Sequence, residues 1–111
     1  MKKLLFLLLV IFISCTGQDC KDLPTDFESY KQITELVKKS SFKIKEQTDT
    51  SMSSWIASAH YYSCDGKSGY LIIKTKKGKE YIHFNISYQM WKGFKNAESK
   101  GSYYNKVIKR S

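Results

Sequence analysis

Between residues 55 and 84 the chain alternates β-favouring runs with tight-turn dipeptides, and this pattern restricts the fold more than any other feature. Residues 55–62 present two usable faces, residues 70–75 are a β-branched run, and residues 80–84 are rich in aromatics. Asp65-Gly66 and Lys77-Gly78 separate the runs, and glycine supplies the positive φ that tight reversals need. Connections this short cannot hold the long crossover that parallel neighbours require, so the three runs predict an antiparallel meander.

Helical signals flank the meander. Thr25 followed by Glu28 forms a capping box, and Phe27, Tyr30, Ile33, Leu36 and Val37 repeat at helical spacing behind it, predicting a helix from Thr25 to about Lys39. That stripe marks a core face rather than a site, and Lys38 and Lys39 suit the helix C-terminus. Phe42 and Ile44 then alternate with Lys43 and Lys45, the pattern of a short, lysine-guarded edge strand, and residues 47–53 read as polar linker. After the meander, Ser87 is placed to cap a helix carrying Tyr88, Trp91 and Phe94. Ser102 is placed to cap another carrying Tyr103, Val107 and Ile108, with Lys100-Gly101 as the break. The expected class is α+β: a three-stranded antiparallel meander followed by two short helices, preceded by an amphipathic helix and the edge strand.

The N-terminus reads as a targeting device. Met1-Lys2-Lys3 is a basic start, and residues 4–13 are an unbroken apolar run too short to span a bilayer, so residues 1–14 read as a signal peptide. Ser14-Cys15 at its end resembles the lipobox of bacterial lipoproteins, although Phe12 stands where that motif usually has leucine. The resemblance implies lipid attachment at Cys15, export to the cell envelope and anchorage to a membrane. Residues 15–24 follow as a polar tether holding the only proline. The remaining two cysteines, Cys20 and Cys64, are then expected to pair in an oxidising compartment. Such a bridge closes a loop of about 45 residues and stabilises the fold by about 4 kcal/mol in the chain-entropy model.

Charge separates the two halves. Residues 15–66 carry six lysines against eight acids, whereas residues 67–111 carry ten lysines and one arginine against two acids. The basic half favours polyanions or anionic lipid headgroups through attraction that salt screens, the alternative being a basic surface that serves solubility, and the expected partner is an envelope protein or a polyanion. No motif of a known reaction is present, His60 and His83 lie two strands apart, and no cofactor or metal site is expected. Tyr61, Tyr62, Tyr70, Tyr81 and His83 offer stacking faces. Lys74, Lys76, Lys77, Lys79 and Lys100 offer charge, with Asn105 near Lys100, and Lys92 and Lys95 add to it, the mixture a nucleic-acid surface uses.

Three stretches resemble the KTSC domain, named for the C-terminal extension of some lysyl-tRNA synthetases. They are Ser53-Ser54-Trp55-Ile56, Tyr81-Ile82-His83, and Ala97-Glu98-Ser99-Lys100-Gly101-Ser102-Tyr103-Tyr104-Asn105 followed by Ile108. The resemblance places such a domain at residues 51–111, with residues 25–50 as an added helix and short strand. It implies a small meander followed by two short helices and a suspicion of RNA binding, and it transfers no catalytic residue. His83 replaces the second tyrosine of the family's Tyr-x-Tyr. The combined expectation is a non-enzymatic binding module, exported and lipid-anchored, with Tyr81, His83, Lys74, Lys76, Lys77, Lys79, Lys100 and Asn105 as partner contacts. An RNA-binding domain and a small enzyme are the alternatives.

Overall fold

A computed structural model describes residues 19–24, 26 and 28–109. The expectations for the signal segment, Cys15, Thr25 and Phe27 lie outside the described residues. Strands β1 (Ile44–Gln47), β2 (Ile56–Ser63), β3 (Ser68–Thr75) and β4 (Glu80–Ser87) form one antiparallel sheet in sequence order. The meander is as expected, with Gly66 and Gly78 at positive φ in its two turns. The sheet has four strands rather than three, because Ile44–Gln47 pairs along β2 from Ile44 opposite Ser63 to Gln47 opposite His60. Gln47, assigned to linker, is the last residue of that strand.

Phe42 and Ile44 do not share a face as their spacing suggested. Phe42 precedes the strand and packs on Tyr62 and Tyr70, whereas Ile44 joins the cluster on the opposite side. Alternation holds only inside a strand, and β1 begins two residues after Phe42.

Helices cover both faces of the sheet. On one lies α1 (Tyr30–Lys39), which buries Ile33 and Val37 against Ile72 and the flanks of Tyr62, Tyr70, Ile82 and Phe84. On the other lie α2 (Tyr88–Asn96) and α3 (Lys100–Tyr103), the latter running into a π-helical turn (Tyr104–Ile108). There Trp91, Phe94, Tyr104 and Ile108 pack on Ile56, Ala59, Tyr61, Leu71, Ile73 and Ile86. This two-sided cover explains why Leu71-Ile72-Ile73 is apolar without alternation: successive residues enter different cores and all are buried. Tyr61 stacks on Trp91 at 5.3 Å and donates its hydroxyl to the Ile86 carbonyl; burial pushes its pKa up to about 12.

Three boundaries differ from expectation. The first helix starts at Tyr30, where Ser29 Oγ accepts from the Gln32 N–H and the Gln32 side chain accepts from the Glu28 N–H. Two boxes of the same type stand in tandem, and the one adjoining the buried stripe forms the cap. At the C-terminal end the cap is Ser99, not Ser102, because Ser99 Oγ accepts from the Ser102 N–H. Lys100-Gly101 therefore lies in the first turn of α3, and the break falls at residues 97–99. At the N-terminus, residues 19–24 are already tied to the domain: Cys20–Asp22 forms a 3₁₀ turn, the Cys20 N–H donates to the Ser41 carbonyl, and Cys20 and Cys64 are joined by a disulfide.

Candidate functional site

One end of the sheet gathers the residues that the sequence singled out. The loop from Thr48 to Trp55 leaves β1 and folds on itself: Thr50 donates to the Ala57 carbonyl, and Ser53 Oγ accepts from the Ile56 N–H. Lys76 fastens this loop to the β3–β4 turn, its backbone N–H donating to the Trp55 carbonyl and its Nζ to the Ser53 carbonyl at 2.7 Å. Trp55 is thereby held against the start of α3, its ring edge-on to Tyr104 at 5.4 Å. A Cβ at position 101 would collide with the Trp55 indole nitrogen, so the close approach requires glycine there. Tyr104 in turn bonds His83 Nε2 at 2.7 Å.

The three motif stretches thus meet through Trp55, Tyr104 and His83. Between the loop and the third stretch runs a groove of about 760 Å³, lined among others by Asp49, Met52, Trp55, Ser99, Ser102 and Asn105; Tyr81, His83 and Tyr104 lie outside its lining. Its walls are rich in hydroxyls and amides, while Met52 is 93 % exposed at its rim. A smaller cavity of about 370 Å³ lies at the other end of the sheet beside the disulfide, lined by Leu23, Ile33, Tyr70 and Phe84; it contains none of the motif residues.

The predicted contacts divide into three groups. Lys74, Lys76, Lys77 and Lys79 cluster at the β3–β4 turn, with Lys79 Nζ 5.9 Å from the Tyr81 ring centre. His83 is half-buried; burial lowers its pKa and raises that of Tyr104, where the neighbouring Tyr81 adds to the rise. The pair is a neutral hydrogen bond inside the site rather than a surface contact. Lys100 lines the groove but spends its Nζ on the Lys95 and Ala97 carbonyls, closing the end of α2, while Asn105 is exposed along the groove.

The expected stacking faces fare differently. Tyr61 is core, Tyr62 and Tyr70 lie under α1, and Tyr81 is 41 % exposed. The sheet therefore offers no open aromatic platform among the described residues. His60 stacks on Tyr62 under α1, on the face opposite His83, and burial lowers its pKa ahead of the effect of Lys38. Among the described residues, the grouping with metal-type ligands is Asp19, Cys20 and Cys64, and its two thiols are consumed by the disulfide.

A family model for the KTSC domain matches residues 52–111. The chain belongs to the KTSC domain family. No curated protein and no solved structure matches it. The KTSC match contains α2, α3, β2 to β4 and most of the groove, whereas α1, β1, Cys20 and the groove wall at residues 48–50 precede it.

Two features of the site escaped the sequence reading. The loop wall at 48–53 looked like polar linker, and only Ser53 within the KTSC motif pointed to it. Glu46 of β1 accepts from Trp91 Nε1 at 2.8 Å, Lys95 Nζ at 2.9 Å and Tyr88 at 3.2 Å, clamping the added strand to α2. These bonds, Lys95 first, hold its carboxyl below the ordinary value. Nothing local in the sequence marks that role, since its partners lie more than forty residues away.

Proposed function

We propose that this KTSC domain is an exported binding module, anchored through an acylated Cys15, whose partner is taken by the motif-lined groove and the adjoining basic turn. The observation that carries the reading is the convergence of two separated motif stretches, residues 53–55 and 97–105, on one groove, with Trp55 backed by Tyr104 and, through it, by His83 of the remaining stretch. Packing alone would not require motif residues to surround open space. The Cys20–Cys64 disulfide supports export, because such bridges persist in oxidising compartments. No helix among the described residues is long and apolar enough to cross a membrane. A nucleic-acid partner is the second reading, favoured by the pairing of Lys79 with the exposed Tyr81.

The test uses oxidised chain 16–111 in a salt series with an acidic polysaccharide, RNA and anionic vesicles. Binding of at least one probe is expected to weaken about tenfold in Ser102→Trp, which fills the groove from an exposed position while the fold is checked by melting. Binding indifferent to that substitution, or no binding at all, overturns the groove. For the anchor, acyl label is expected on the wild type and not on Cys15→Ala; label retained by the mutant removes that part of the reading.

A further inference from the structure

We infer that the Cys20–Cys64 bridge fixes how the domain is presented. With a lipid on Cys15, it turns the β2–β3 end towards the anchoring membrane and reserves the basic β3–β4 turn beside the groove for a polyanion on the far side. The inference rests on the proposed acylation of Cys15.

The geometry is simple. Cys64 lies just beyond β2, and Cys20 is bonded to it and to the Ser41 carbonyl. The start of α2 shares this end, since Ser68 pairs with Ser87 and the Tyr88 N–H donates to the Lys67 carbonyl. At the other end of the same strands Ile56 pairs with Thr75, and Lys76 fastens the groove loop. Strand β3 has eight residues, and eight residues of strand separate the two ends by about 25 Å.

The tether is shorter than that. Cys15 and Cys20 are five positions apart, a reach of at most about 17 Å when fully extended. A domain standing groove-down would hold Cys20 a strand length above the bilayer, beyond that reach. Were the bridge and the Ser41 contact absent, the first hold on the domain would be Leu23 in the α1 layer, a reach of about 28 Å from Cys15, and either pose would be open.

The charge at the distal end identifies the partner chemistry. Residues 76–79 hold three lysines and no acid, and the neighbouring Glu80 is engaged by Lys38 of α1 at 2.7 Å, whereas the groove carries Asp49 and Glu98 in its lining, so the anion falls to the turn. That turn attracts anions, and the short tether keeps it from standing on the headgroups of its own membrane. The shared chemistry is a row of anionic groups; its source is a free or opposite-layer polymer rather than the anchoring lipid.

The experiment attaches a diacyl lipid chemically to Cys15 of the oxidised chain and places it in vesicles with an energy-transfer acceptor on the headgroups. A clickable donor replaces Lys67, at the disulfide end, or Lys77, at the groove end. Transfer is expected to be at least about threefold greater from position 67, and equally so in neutral and anionic vesicles. A sulfated polysaccharide added outside is expected to bind the anchored protein under both conditions. Equal transfer, greater transfer from position 77, or a reversal in anionic vesicles overturns the inference. Because the lipid is attached chemically, acyl labelling in cells separately decides whether Cys15 is the natural anchor.

Discussion

The two faces of the sheet are built differently. On the α2–α3 face, ten buried residues interlock, with Trp91 stacked on both Tyr61 and Phe94 and its indole nitrogen bonded to Glu46. On the α1 face, three described residues are fully buried, and the rest of the contact comes from half-buried aromatics and aliphatics at the rim. The first face belongs almost wholly to the KTSC match, and the second is closed by a helix outside it. A dry, interlocked core implies one cooperative unit, while the shallower layer behaves as a clasp that needs the disulfide to stay closed. The KTSC sheet with its C-terminal helices is therefore the folding unit, and the N-terminal segment is an accessory that shields Tyr62, Tyr70 and Phe84.

The sharpest way to break this comparison is to remove the centre of the stronger face. Trp91→Ala is expected to cost about 4 kcal/mol, because the lost indole leaves a void and strips Glu46 of a donor. Urea melting by far-ultraviolet circular dichroism reads it directly. A cost near 1 kcal/mol would mean that the α2–α3 face is not the cooperative core. Replacing both bridge cysteines, Cys20→Ser with Cys64→Ser, is expected to cost up to about 4 kcal/mol in the same assay. Its imprint should fall on one face: amide exchange in α1 should accelerate far more than in α2. Equal acceleration in both helices would contradict the clasp.

Much of this division could be read in advance, and the limits are physical. Strand positions were legible because period-two patterning and turn glycines are local signals, as at Asp65-Gly66 and Lys77-Gly78. Helix ends were less so: Thr25 and Ser29 open equivalent boxes, and Ser99 and Ser102 are equally able to cap. The choice is made by where Ile33 and Tyr104 must be buried, which is a tertiary fact. The groove was half legible, since its motif residues stood out, but its loop wall and the two-sided cover of the sheet did not. Lys100 looked like a free surface charge and instead closes α2, a role fixed by the path of the chain rather than by residue type.

Ile33→Ala sharpens the comparison from the weaker side. Ile33 is buried in the α1 layer, and its truncation is expected to cost about 2 kcal/mol, less than Trp91→Ala because the rim can relax into the space. Hydrogen exchange should again report loosening confined to α1, with β3 protected. A loss as large as that of Trp91→Ala would show that the two faces fold as one.

The smallest effect separates the faces by pH. His83 and His60 lie on opposite faces, and burial depresses both below the ordinary 6.5. The unfolded chain therefore binds more protons than the folded one as pH falls through 6.5, so stability is full above that value and declines below it until the folded imidazoles titrate. His83→Gln retains a hydrogen-bonding partner for Tyr104 but cannot take up the proton. It is expected to remove part of the decline between pH 6.5 and 5, leaving the remainder to His60 and the carboxylates. Because Tyr104 links His83 to Trp55, the residual slope should coincide with loosening of α1, while the Trp55 fluorescence stays constant. A variant whose Trp55 signal still changes over that window would place the titrating group elsewhere on the KTSC face, and the His83–Tyr104 bond would then be packing rather than the pH-sensitive contact of that face.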